Sequence, residues 1–98
     1  MSFAAVFLYE VDDARRAVFE AVYGPEGDWA RFFAAGDGYR GTELLRSGDR
    51  YLLIDRWSSR EAYEAFLAEH ADEHARRSEE GGALWGGEQV LGRFEDVG

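Results

Sequence analysis

Hydrophobic and polar positions change period several times along the chain. Residues 3–11, FAAVFLYEV, are apolar on both alternating faces: Ala4, Val6 and Leu8 on one, Phe3, Ala5, Phe7 and Tyr9 on the other. That is the pattern of a central strand covered on two sides. Asp12 or Asp13 can then cap a helix in which Ala14, Ala17, Val18, Ala21 and Val22 follow the three-four spacing of one buried face, ending near Gly24 and Pro25. Trp29, Phe32 and Phe33 predict a further short helical segment, closed by the glycines of AAGDG at 34–38. YRGTELLR at 39–46 and RYLLIDRW at 50–57 flank SGD, a short glycine-containing loop that predicts a β-hairpin. Alternation in the second of these strands divides Leu52 and Ile54 from Tyr51, Leu53, Asp55 and Trp57. Ser58 and Glu61 have the spacing of a capping box, so a helix is expected immediately after Trp57, with Ala62, Tyr63, Phe66, Leu67, His70, Ala71 and His74 as its buried stripe. It should fray in SEEGG. GGALWGG at 81–87 reads as a flexible connection and rim, and EQVLGRFE at 88–95 as a final strand.

Strand, helix, strand, strand, helix, strand is the split βαβ order of a ferredoxin-like α+β domain, so residues 1–98 are expected to form one domain with a four-stranded antiparallel sheet and both helices on one face. On this reading the other face carries Phe7, Tyr9, Tyr51, Leu53 and Trp57 with nothing left in the chain to cover them. A bare apolar face of that kind marks an interface or a ligand site. A second copy is the economical cover. The expectation is a symmetric homodimer, a dimeric α/β barrel, with a pocket for a small hydrophobic ligand between the two sheets.

Charge narrows the partners. Twenty acidic against 11 basic residues give a net charge of −9, which repels phosphate backbones and anionic lipid, so neither nucleic acid nor a membrane surface is an expected partner. All 11 basic residues are Arg, which leaves no lysine for Schiff-base or P-loop chemistry. Cysteine is absent, which excludes thiol catalysis, disulfides and sulfur-ligated zinc. The start, MSFAAVFLYEV, has no basic lead and too short an apolar run for a signal sequence or a membrane span, so a cytoplasmic location is expected.

One motif looks catalytic. HADEH at 70–74 has the His-x-x-Glu-His form of inverted zinc-peptidase signatures. Such enzymes are much larger and also need a third ligand from a distant element and a cleft for peptide, and nothing in the chain supplies that cleft. The spacing of His70 and His74 equally follows from two semi-polar residues bordering a buried stripe, and no metal site is expected. GGALWGG likewise lacks the strand-loop-helix setting and basic residue of a phosphate cradle.

YLLIDRWSSREAYEAF, with GYRGTELL before it and VLGRFE at the end, resembles the antibiotic biosynthesis monooxygenase family of the dimeric α/β-barrel superfamily over nearly the whole chain. The resemblance implies oxidation of quinol- or anthrone-like aromatics by molecular oxygen with no metal, flavin or heme. The substrate anion would reduce oxygen itself while the protein binds, desolvates and stabilises it. Counted from the strand-end Trp, the family's Trp, Tyr and Arg fall on Trp57, Tyr63 and Arg77, the implied catalytic set. The family's strand Asn falls on Leu53. Phe7, Tyr9, Tyr51, Leu53, Asp55, Phe66 and His70 are the candidate substrate-binding residues. Asp55 can be a general base, or it can pair with Arg56, Arg93 or an Arg of a partner subunit. Trp57 can be a pocket wall or a core aromatic, and Arg77 an anion stabiliser or a solvated residue at a helix end. The Leu at the Asn position favours an alternative, a non-catalytic small-molecule-binding or stress-response protein of the same fold. A heme-degrading branch of the superfamily supplies a third reading: Phe66 falls where its helical Trp belongs, Arg76 falls near its axial His, and His70 or His74 would be the ligand.

Overall fold

A computed structural model describes residues 2–97. Strand β1 (Phe3–Glu10) is followed by a 3-10 turn at Asp13–Arg15, helix α1 (Arg16–Tyr23) and helix α2 (Asp28–Phe33). Strands β2 (Tyr39–Ser47) and β3 (Arg50–Trp57) form the hairpin. Helices α3 (Arg60–Glu69) and α4 (Ala71–Gly81), a 3-10 turn at Gly82–Leu84 and strand β4 (Gly87–Glu95) complete the chain. The sheet is antiparallel in the order β2-β3-β1-β4, so the expected ferredoxin-like α+β topology is present. No helix among the described residues is long and apolar enough to cross a membrane.

β1 and β3 are central and in simple register, from Phe3 opposite Trp57 to Glu10 opposite Arg50. Paired residues share a face, so Phe3, Ala5, Phe7 and Tyr9 lie with Trp57, Asp55, Leu53 and Tyr51. The helices cover this face and not the opposite one, which corrects the expectation above. Tyr9, Tyr51, Leu53 and Trp57 are 4%, 1%, 4% and 0% exposed. The reason is complementarity of bulk. The helices present Phe19, Tyr23, Trp29, Phe33, Tyr63 and Phe66, and these rings pack among the strand aromatics at centroid separations such as 5.4 Å for Tyr9–Phe19 and 5.3 Å for Trp57–Phe66. The bare face is the other alternation: Val6, Leu8, Leu52 and Ile54 are half-buried, and Leu45 and Phe94 are 54% and 52% exposed.

α1 differs from expectation for the same reason. Ala14, Ala17, Val18 and Ala21 face solvent, while Phe19 and Tyr23, four residues apart, are buried and stacked 4.5 Å apart. Two aromatic rings remove far more apolar surface from water than a row of alanines, so they set the helix's rotation. The cap of α3 is Ser59, whose Oγ accepts from the Ala62 amide at 3.1 Å, one residue later than Ser58. The helix then breaks at His70, whose backbone (φ −119°, ψ 31°) leaves the helical range, so HADEH does not lie on one continuous helix.

β4 carries a bulge. Gly92 is opposite Val6 but Val90 is opposite Phe7, and Gly92 adopts φ +138°, a conformation that glycine takes without strain. The extra residue turns Val90 and Glu88, in place of Leu91 and Gln89, to the helix side beside Phe7 and Tyr9.

Candidate functional site

A cavity of about 310 Å³ lies between the covered face of the sheet and the helices of the same chain. The expected space between two sheets is thereby replaced by one inside a single subunit. Its volume is at the small end of ligand pockets. The floor is Ala5, Phe7 and Tyr9 of β1, Leu53 and Asp55 of β3, and Val90 and Arg93 of β4; the helices contribute Tyr23, Trp29, Phe33, Tyr63, Leu67 and His74. It exists because β1 supplies only a methyl group at Ala5, between far larger neighbours on both sides.

Asp55 is the chemically distinctive wall. It is 4% exposed, and its carboxylate accepts a hydrogen bond from Thr42 Oγ1 at 2.8 Å. That leaves the Tyr39 hydroxyl, 2.5 Å from Thr42 Oγ1, as the donor to Thr42. Among the described residues Asp55 forms no ion pair: Arg56 bonds Glu43 at 2.6 Å, and Arg93 lies 3.4 Å from Glu64. Burial raises its pKa from 3.8 to about 6, against the smaller lowering effect of the Thr42 hydrogen bond. Of the alternatives open in the sequence, pairing with Arg56 or Arg93 is removed. A carboxyl group poised near neutrality in a largely apolar cavity has the properties of a general base.

The other polar walls differ in how well they are satisfied. Tyr9 donates to Glu88 Oε2 at 2.6 Å, and Trp85 Nε1 donates to the Tyr23 hydroxyl at 3.2 Å. Burial raises the pKa of both phenols, so both stay protonated. Gly81 lets Tyr23 stand where it does, since a Cβ there would lie 2.2 Å from its hydroxyl. His74 sets its ring edge-on to Trp29 at 5.4 Å, and burial lowers its pKa, so the imidazole is neutral at neutral pH. Burial also raises the pKa of Tyr63, opposed by nearby Arg93 and reinforced by Asp55.

The three residues aligned with the family's catalytic set are not brought together. Tyr63 lines the cavity. Trp57, wholly buried, packs behind it at 5.6 Å and against Phe33, Tyr39 and Phe66, with its Nε1 lacking a partner among the described residues. Arg77 lies in a separate surface cleft with Asp28, Arg31, Phe32, Ala35, His70 and Glu73; its guanidinium covers the Phe32 ring at 4.9 Å and bonds Glu73 at 2.9 Å. Of the candidate binding residues, Phe7, Tyr9, Leu53 and Asp55 line the cavity. Tyr51 lies under α1, its hydroxyl bonded to Glu20, and Phe66 is core. His70 stacks on Phe66 at 4.3 Å and opens to the outer cleft. His70 and His74 therefore face different hollows.

Heme does not fit this arrangement. Phe66 is enclosed between Trp57 and His70, Arg76 is exposed beside Glu80, and the cavity that His74 borders, about 310 Å³, is short of what a porphyrin fills. Sequence reasoning also missed Tyr23, Trp29, Phe33, His74, Ser78, Glu88, Val90 and Arg93 as cavity residues. For Glu88, Val90 and Arg93 the available signal was the alternation of β4, which the bulge at Gly92 interrupts.

No family model matches the chain, and no curated protein matches it in sequence. Solved structures do. A substituted form of SnoaB, a cofactor-independent oxygenase from Streptomyces nogalater, is 25% identical over 99% of this chain and 94% of its own, with a TM-score of 0.79. The ActVA-Orf6 monooxygenase of Streptomyces coelicolor, in complex with nanaomycin D, is 19% identical over 99% and 88%, with a TM-score of 0.76. A Bordetella bronchiseptica protein carrying the name antibiotic biosynthesis monooxygenase is 23% identical over 98% and 97%, with a TM-score of 0.69. The structural neighbours are thus members of the family that the sequence resembles.

The raised pKa of Asp55 has a stability consequence whose sign is fixed. The folded state holds this proton more tightly than the unfolded chain, so stability is lost as pH rises from about 4 through about 6. Above that window the buried charge costs roughly 3 kcal/mol. Asp55→Asn, which keeps an acceptor for Thr42, should be more stable than wild type by roughly 2–3 kcal/mol at pH 8 in urea denaturation, and equal to it near pH 3.5. Equal stability at both pH values would show that the folded-state pKa is not raised.

Proposed function

We propose that the chain is a cofactor-independent monooxygenase of a small, planar, ionisable aromatic of the quinol or anthrone type, with the cavity between sheet and helices as its active site. The observation that carries this is Asp55, a buried carboxyl that forms no ion pair among the described residues, facing an aromatic-walled cavity. The oxygenase descriptions of the structural neighbours support the same reading.

The chemistry asks little more of the protein. Asp55 takes a proton from the acidic carbon or hydroxyl of the bound aromatic, leaving an electron-rich anion. The anion passes one electron to oxygen, the radical pair combines as a carbon–oxygen bond, and the peroxide accepts a proton from Asp55. Loss of water from that peroxide leaves a carbonyl. One CH₂ and one O₂ thus become one C=O and one H₂O, with all electrons supplied by the substrate. Phe7, Phe33, Leu53 and Leu67 keep the anion away from water. Tyr63 is a hydroxyl donor to it, and Trp57 holds the Tyr63 ring in place from behind. In this reading Arg77 has no contact with substrate.

Leu53 in place of the family's Asn favours a second reading, a binding protein of the same fold without turnover. Oxygen consumption with anthrone and hydroquinone, in buffer stripped of metals, separates the two. Wild-type kcat/KM is expected to rise as pH increases to about 6 and then level off, because the base must be ionised. Asp55→Asn should lower it at least ~100-fold. Retained binding with no oxygen uptake would leave only the binding reading.

The bare sheet face calls for a second copy. Val6, Leu8, Leu45, Leu52, Ile54 and Phe94 give a two-fold interface an apolar centre, and the Arg56–Glu43 pair stands beside Ile54. Sedimentation should find a dimer at micromolar concentration and a folded monomer for Ile54→Asp. A wild-type monomer would remove this assignment.

A further inference from the structure

The polar groups of the cavity are unevenly satisfied, and the unevenness has a direction. Ala5 of β1 is opposite both Asp55 of β3 and Arg93 of β4, so the three residues point to the helix side at one level of the sheet. Asp55 and Arg93 thus flank a methyl group across two strand spacings, about 9–10 Å between backbones. Tyr63 stands above this level, with the Arg93 guanidinium over its ring at 5.2 Å. Phe7, Leu53 and Val90 make the next inward level apolar. Two residues further along β1, about 13 Å from Ala5, Tyr9 and Glu88 satisfy each other, as do Tyr23 and Trp85.

At the Ala5 level the groups have capacity to spare. Among the described residues Asp55 accepts a side-chain hydrogen bond only from Thr42, and the Tyr63 hydroxyl is influenced by burial and by neighbouring charges but by no side-chain hydrogen bond. Among the described residues Arg93 has a carboxylate only in Glu64, at 3.4 Å, with both side chains about half exposed, a pairing weak enough to yield to a ligand. His74 and exposed Ser78 border the cavity from the helix side. The titratable groups facing Asp55 are therefore Tyr23, Tyr63 and His74 from the helices and Tyr9, Tyr39, Glu88 and Arg93 from the sheet.

We propose that Arg93, with the Tyr63 hydroxyl, holds the oxyanion formed when a ligand hydroxyl gives its proton to Asp55 across Ala5, so that the cavity selects flat aromatics that enter hydroxyl-first. The O–H bond of the ligand breaks, a carboxyl O–H forms on Asp55, and the charge left on the ligand oxygen meets a guanidinium. This gives β4, through Arg93, the cationic role that alignment with the family places on Arg77 of α4. It rests on the proposal that the cavity takes an aromatic, and not on turnover.

Anaerobic binding of 1-naphthol, 1-methoxynaphthalene and naphthalene tests it, followed by quenching of the cavity tryptophans Trp29 and Trp85. At pH 8, naphthol should bind about tenfold or more tightly than its methyl ether. Its absorbance should take the naphtholate form although free naphthol is neutral there. Arg93→Met should weaken naphthol about tenfold and abolish the naphtholate band, leave naphthalene within about twofold, and be partly rescued by Arg93→Lys. No binding of naphthol, equal affinity for the ether, or equal loss for all three probes in Arg93→Met would overturn it. Selective binding without oxygen uptake on anthrone would discard the oxygenase reading and leave this inference standing; uptake with binding insensitive to Arg93 would do the reverse.

Discussion

A carboxyl group shut away from water with a single hydroxyl beside it is the feature around which this small domain is arranged. Asp55 occupies a central strand, its side of the sheet is covered by helices, and among the described residues only the Thr42 side chain bonds to it. A buried charge without a counter-ion is destabilising, and a domain of 98 residues has little stability to spare. The fold tolerates the group by letting its proton stay on to a higher pH. That tolerance gives the chain a base able to work near neutrality.

The aromatic residues explain how such a site is held open. Rings from α1, α2 and α3 pack against those of β1 and β3, forming a nearly continuous aromatic layer from Tyr51 to Tyr63. Rigid rings that support one another cannot collapse onto a small residue, so the space above Ala5 persists. The opposite face of the sheet is apolar and bare, so the cavity and the uncovered apolar surface lie on opposite sides of one sheet. The cavity is walled within one chain, so the site does not require a second copy to enclose it.

Much of the fold was legible. The six principal elements, the hairpin and the connectivity follow from period and turn residues, because Phe3–Glu10, Arg50–Trp57 and the helix after it have strong, simple patterns. Which face the helices cover was not legible, because both alternations of β1 are apolar and Asp55 made its own face resemble an open one. The rotation of α1 was readable in principle from Phe19 and Tyr23, but the regular row of alanines and valines concealed it. The break at His70 has no glycine or proline to announce it, and the role of β4 depends on a bulge that only pairing reveals. Of the candidate site residues, those on the central strands reach the cavity because alternation fixes their side; those on helices scatter, because a break of one residue turns Arg77 and His70 to another surface.

The likeness to oxygenases of the same fold is one of architecture, and Leu53 and Asp55 are part of the floor of this chain's cavity. The ionisation of Asp55 is the point on which the site stands or falls. Titration of its side-chain carboxyl by carbon NMR, in the folded protein with Asp55→Asn identifying the resonance, measures it directly. A midpoint near 6 is expected. A midpoint at or below the ordinary 3.8 would show a solvated or ion-paired carboxylate, and with it no base in the cavity.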